Sequence, residues 1–295
     1  MIRIGGLALP VDGDLDQLRK RAARTLGVRP GALGELDIVR QSIDARRKDD
    51  VHYVYTVELS MANEASMVRS APGRNISLTE RRPYAFPSVG RKAALPPVVV
   101  GMGPAGLFAA LFLARNGIPS VILERGRDVD RRTLDVGAFW DTGILDEESN
   151  VQFGEGGAGT FSDGKLTTGT HDPRISAVLD VLVEAGAPAD VKYSHKPHIG
   201  TDILRQVVKN IRRELISLGC DVRFGHRLTG LTVSGGVLAG IRVEGPTGPY
   251  RLPADALVLA PGHSARDTFT MLKEAGVPME KKNFAIGVRI EHDQQ

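Results

Sequence analysis

Apolar residues change period twice within the first sixty positions. Ile2, Ile4, Leu7 and Leu9 are spaced as in a strand, while Leu15, Leu18, Ala22 and Leu26 recur at the three- and four-residue steps of one helix face. Asp14 and Gln17 stand as a capping pair where that helix would begin. Alternation returns in LDIVRQSI (36–43) and VHYVYTVEL (51–59), where Val51, Tyr53, Tyr55, Val57 and Leu59 would share one face. The charged ARRKDD between those two runs predicts a turn. These elements predict a small α/β module over residues 1–68. From 69 to 97 the periodicity dissolves, and prolines at 72, 83, 87, 96 and 97 predict a linker.

The strongest pattern follows in VVVGMGPAGLFAALFLARNGIPSVILERG, residues 98–126. A short apolar strand runs into Gly101, Gly103 and Gly106, a G-x-G-x-x-G turn that opens a helix ending near Asn116-Gly117. Gly101 permits the tight turn, Gly103 lets a pyrophosphate approach the backbone, and Gly106 and Ala110 allow close helix–strand packing. The pyrophosphate would then sit on the helix N-terminus, among its unpaired N–H groups and at the positive end of its dipole. The next strand, SVILE, ends in Glu124, 23 residues beyond Gly101, where a carboxylate accepts hydrogen bonds from an adenosine ribose. Pro104 and Ala105 in the turn and Arg125 beside the glutamate complete this first set of candidate cofactor contacts.

Downstream, FGEGGAGTFSDGKL (153–166) resembles the phosphate-binding loop G-x-x-x-x-G-K-[ST]. Leu166 stands where that loop needs a hydroxyl for Mg²⁺, and the approach, DEESN, is polar and not a buried strand. Gly156, Gly157 and Gly159 read instead as backbone brought close to the pyrophosphate and ring of a dinucleotide anchored at Gly101–Gly106. Residues 201–218 predict a helix with Ile203, Val207, Ile211, Leu215 and Leu218 on one side, followed by a strand and the hairpin-like LTGLTV…GVLAGIRVEG. The apolar run Ala256–Ala260 then enters Pro261-Gly262, a turn similar to the Ala-Thr-Gly signature of flavoproteins, which adds Gly262 to the candidates. This order matches a glutathione-reductase-type FAD fold. Glu124 disfavours a 2′-phosphate and so argues against NADP at this site, while the Pro261-Gly262 turn and the element order favour FAD, with NAD(P)H as a transient electron donor. SGGVLAG (234–240) has neither the spacing nor the helix of a second G-x-G-x-x-G. The fold class is thus α/β: a Rossmann-like FAD/NAD(P)-binding domain over 98–295, with an inserted segment near 127–200, preceded by a ferredoxin-like module.

Composition narrows the chemistry further. Hydrophobic residues at 42% and charged residues at 25% are globular values. A single cysteine, Cys220, excludes an internal disulfide, a CxxC redox pair and a cysteine-built metal site. The N-terminus lacks the basic start and apolar run of a signal peptide, and no apolar stretch reaches membrane-spanning length, so the expected location is cytoplasmic. The net charge of +3 is uneven: residues 1–92 carry 16 Lys/Arg against 11 Asp/Glu. Without aromatics interleaved among the basic residues, a solvated surface is favoured over nucleic-acid binding.

Several blocks resemble a bacterial family of FAD-dependent dehydrogenases: NVQFGEGGAGTFSDGKLTTG (150–169), KPHIGTDIL (196–204), GHSARDTF (262–269), FAIGVRIEH (284–292) and RQSIDARRKDD (40–50). The resemblance implies a two-part flavoprotein acting on a small-molecule substrate. It also implies that a last sheet strand, a Gly-Asp turn and a final helix should follow the Pro261-Gly262 turn, so a chain ending at Gln295 is expected to be incomplete at its C-terminus. His263 is a candidate for moving a proton or contacting reduced flavin, with a loop histidine holding backbone groups as the other reading. Lys165 is a candidate cation near the flavin, or else a pyrophosphate contact or a surface lysine. Arg266-Asp267 reads as a structural ion pair, and His195 and His198 lack the partners of a metal site. Three readings of function stand: an FAD-dependent oxidoreductase moving a hydride between a small organic substrate or NAD(P)H and flavin; a flavin- or nucleotide-binding recognition module with an RNA- or protein-docking front domain; and an NAD-dependent dehydrogenase.

Overall fold

In the computed structural model, residues 1–71, 75–80, 84–88, 94–161, 164–284, 286–288, 290 and 292–293 are described. The front module contains β1 (Ile2–Pro10), α1 (Leu15–Leu26), β2 (Leu36–Asp44), β3 (His52–Leu59), α2 (Glu64–Ser70) and β4 (Ile76–Leu78). Its antiparallel sheet has the order β2-β3-β1-β4, the ferredoxin-like arrangement. Ile2 and Ile4 lie in the core with Leu7 and Leu9, although their numbers change parity. A bulge between Ile4 and Leu7, with Gly6 at φ 75°, absorbs the extra residue and keeps both pairs inward. Asp14 caps α1 by accepting from the Gln17 N–H at 2.8 Å.

Three expectations shift here. Leu15 is 66% exposed, because the face buried by α1 is set by Leu18, Ala22, Ala23 and Leu26. Val51 precedes β3 and is exposed, so the inward row of that strand is Tyr55, Val57 and Leu59. β4 falls inside the expected linker, pairing Ile2 with Leu78 and Ile4 with Ile76; three residues are too few to show a period. Pro72 and Pro83 lie outside the described residues. Further along the same stretch, Phe86 stacks on Phe112, ring centroids 3.9 Å apart.

The second unit runs β5 (Val98–Val100), α3 (Pro104–Arg115), β6 (Val121–Glu124), α4 (Val129–Thr142), α5 (Arg174–Glu184), α6 (Thr201–Ser217), β7 (Asp221–Phe224), β8 (Arg227–Ser234), β9 (Val237–Gly245), β10 (Gly248–Pro253), β11 (Leu257–Leu259) and α7 (Arg266–Glu274). Its parallel sheet has the order β11-β5-β6-β7, and β10-β9-β8 form an antiparallel sheet. β5 and the first three residues of β6 are apolar because both of their faces are covered, whereas edge strand β7 carries Asp221 and Arg223. Val99 and Ile122 pack among Leu107 and Leu111 of α3 and Val207 and Ile211 of α6. Val98, Val100 and Leu123 point the other way, against Leu228, Ile241 and Val243 of the antiparallel sheet. Ala110 is fully buried where α3 meets the sheet. Leu218 lies past the end of α6 and is 38% exposed, so Val207, Val208, Ile211 and Leu215 are the buried residues of that helix. The two units touch where the Gln41 N–H of edge strand β2 donates to the Tyr193 carbonyl at 2.7 Å. Ala285, Arg289 and Glu291 of the FAIGVRIEH block lie outside the described residues.

Candidate cofactor-binding site

Two glycine-rich backbones face each other at the C-terminal end of the parallel sheet. Gly101 follows β5 with φ 97°, and a Cβ there would run into the Ala260 carbonyl at the end of β11. A Cβ on Gly106 would strike the Gly101 carbonyl, so the first turn of α3 can lie on the strand only with glycine at both places. Gly103 caps α3, leaving the amides of its first turn without a side-chain partner. Across the gap, a Cβ on Gly157 would stand 3.0 Å from the Gly103 Cα, and the Gly156 N–H donates to the Met102 carbonyl at 2.9 Å.

The cleft between them has a volume of about 390 Å³, within the range of small-molecule sites. Gly101, Gly103, Pro104, Ala105 and Gly157 line it, together with Glu124, Arg125, Gly159, Gly262 and His263. Gly106 and Gly156 lie behind this surface as buried packing positions. Lys165 does not line the cleft: it is exposed, and its residue bridges to His198 as a short antiparallel pair. Ser162 and Asp163 of the same stretch lie outside the described residues, and Leu166 packs at the edge of the core. His195 and His198 are exposed, and among the described residues no group of three or more His, Cys, Asp or Glu could hold a metal ion.

Glu124 is buried, and its carboxylate braces the cleft wall. Oε2 accepts from the Met102 N–H at 2.7 Å, and Oε1 accepts from Gly126 at 2.9 Å and Gly154 at 3.0 Å. One acid thus ties the turn after β5, the turn after β6 and the second glycine loop together. Arg125 pairs with Glu148 at 2.8 Å and with Asp267 at 3.0 Å, and its guanidinium lies 4.1 Å above the Phe153 ring. Asp267 also pairs with Arg227 at 3.0 Å. The expected Arg266–Asp267 pair is replaced by these two, because α7 turns Asp267 toward β6 and β8. His263 is exposed, with Nε2 3.2 Å from the Ser264 hydroxyl, which donates to Gln152 at 3.3 Å.

Two residues of this architecture escape a reading of the sequence. Arg132 of α4 is fully buried and donates to the carbonyls of Asn150 (2.8 Å), Val151 (3.0 Å) and Glu155 (2.6 Å). It thereby shapes the loop that carries Phe153 and Gly154 into the cleft. Burial pushes its pKa down to about 10, against the pull of Glu124 and Glu155. Glu155, also buried, accepts from the Val129 N–H at 2.7 Å and pairs with Arg212 at 3.2 Å. DRRTLDV and FGEGG show only charges on an ordinary helix and loop. The available signal is indirect: an aperiodic stretch from 146 to 157 must find donors for its carbonyls once buried.

Burial pushes the Glu155 carboxyl up from the glutamate range, outweighing the Val129 amide and Arg212, while Asp128 and Asp130 add to the rise. The folded chain then keeps a proton that the unfolded chain releases, so stability falls as pH rises through the window between the two values. Glu155→Gln is expected to flatten the melting temperature–pH profile above about pH 4.5, followed by circular dichroism. A profile as steep as that of the wild type would place the titration elsewhere.

A glycine-lined strand-to-helix turn, an acid at the end of the next strand and a second glycine loop across the cleft define a dinucleotide-binding protein of the Rossmann type. The chain belongs to the FAD binding domain family, whose model matches residues 95–282, and its cofactor is FAD. A domain of unknown function matches residues 1–60. An uncharacterized protein of Clostridium beijerinckii is 48% identical over 295 residues; the chain spans 55% of that relative's length. Among solved structures, THI4 of Thermovibrio ammonificans is 18% identical with a TM-score of 0.38, covering 61% of this chain and 62% of its own. The flavin-dependent monooxygenase PieE, in complex with FAD and substrate, is 19% identical with a TM-score of 0.36, covering 60% of this chain and 32% of its own. Likenesses this distant carry no argument about chemistry. Among the described residues, no helix is long and apolar enough to cross a membrane.

Proposed function

We propose that the chain is the FAD-holding part of an FAD-dependent oxidoreductase that moves a hydride between a small organic substrate or NAD(P)H and the flavin. The observation that carries this reading is the cleft in which Gly101 and Gly103, at the start of α3, and Gly157 and Gly159, across from them, present bare backbone to one space. Bound FAD supplies the hydride-accepting ring. The chain's own residues bind and orient it. The first-turn amides of α3 and their dipole hold the pyrophosphate, and Glu124 fixes the wall beside the adenosine ribose while keeping a lone pair for it. We assign His263, an exposed residue of the cleft lining, to hold or move a proton. We assign no role to Lys165, which does not line the cleft.

The test is anaerobic mixing of the FAD-loaded protein with NADH and with NADPH, following the visible flavin absorbance. Loss of the oxidised flavin band with one of the two is expected. A flavin that stays oxidised with both would contradict nicotinamide as the donor.

A further inference from the structure

Arg125 follows Glu124 at the end of β6, in the neighbourhood where an arginine accommodates the 2′-phosphate in NADP sites. Here each of the three nitrogens of that guanidinium already donates to a carboxylate. Nε donates to Glu148 Oε2 at 2.8 Å, Nη2 to Glu148 Oε1 at 3.1 Å and Nη1 to Asp267 Oδ1 at 3.0 Å. Arg227, at the start of β8, completes the set, with Nη1 3.0 Å from Asp267 Oδ2 and Nε 3.7 Å from Glu148 Oε1. The four side chains close a ring of alternating charge in which each carboxylate touches both guanidiniums. Both arginines line the same cleft as Glu124.

We infer that Glu148 and Asp267 are specificity-determining residues: by occupying Arg125 and Arg227 they bar a 2′-phosphorylated adenosine nucleotide from the cleft. This rests on the reading of the cleft as the FAD site. A phosphate entering the ring would displace charge-assisted bonds that are already satisfied and would lie beside two carboxylates. A ribose carrying a plain 2′-hydroxyl meets neither obstacle. The two acids come from separate elements, the loop before Ser149 and the first turn of α7, and both lie outside the contiguous turn from β5 to Glu124.

Calorimetric titration with 5′-ADP and 2′,5′-ADP tests this on the whole chain. The wild type is expected to favour 5′-ADP. In Glu148→Gln/Asp267→Asn, two unpaired guanidiniums should move the affinity ratio about tenfold or more toward 2′,5′-ADP, and the gain should shrink as salt is raised. Adding Arg125→Ala should reverse it. A ratio within about twofold of wild type, in a double variant that still takes up FAD, would overturn the inference. Should the double variant fail to fold by circular dichroism, Glu148→Gln alone is read by the same ratio, with a shift of about threefold expected and no shift counting against the inference. Failure of the wild type to bind FAD would instead strike the FAD reading, so the two failures are distinct.

Discussion

Arg132→Met is expected to lower the stability of the chain by about 3–5 kcal/mol, the cost of removing a buried charged group from its partners. The guanidinium serves three separate carbonyls at hydrogen-bonding distances of 3.0 Å or less, and methionine fills much of its volume while leaving those carbonyls buried and unmet. Lysine should rescue little, because a single ammonium cannot span Asn150, Val151 and Glu155 as a planar fork does. Thermal unfolding measures the effect, with a drop on the order of 10 °C for a chain of this size. FAD affinity should fall with it, since the same loop delivers Phe153 and Gly154 to the cleft. A melting temperature within a degree or two of wild type would mean that the loop holds its shape without the arginine.

The second large effect is expected at Gly101. Gly101→Val forces a branched side chain into a φ of 97° and drives its Cβ against the Ala260 carbonyl. Backbone strain alone costs about 1–3 kcal/mol, and the overlap with β11 adds to it because the obstructing atom is main chain. Loss of FAD uptake is expected together with a lowered melting temperature. Gly159→Ala provides the contrast: an added Cβ there meets nothing within 4 Å, so stability close to wild type is expected. If Gly101→Val bound FAD normally, the turn after β5 would not be the cofactor's anchor.

What could be read from the chain follows the range of the interactions involved. The turn from β5 through α3 to Glu124 is one contiguous unit whose glycines, helix length and terminal acid constrain one another within 27 residues, Val98 to Glu124. The alternation of β1 and the capping of α1 by Asp14 are equally local. β4 was hidden because its partner is β1, more than seventy residues earlier, and its own three residues hold no period. Arg125, Glu148, Arg227 and Asp267 come from four elements, and the Arg125–Asp267 contact spans 142 residues. No spacing rule links them. The surroundings of the GKL sequence were equally hidden: Gly164, Lys165 and Leu166 pair with Pro197–Ile199, a contact that no local spacing announces.

An FAD titration of the purified chain tests the central claim most directly. Quenching of flavin fluorescence should saturate at one FAD per chain for the wild type and vanish in Gly101→Val. A folded wild type that leaves the flavin signal unchanged, or a Gly101→Val protein that binds FAD as tightly, would contradict a cofactor site built between the two glycine backbones.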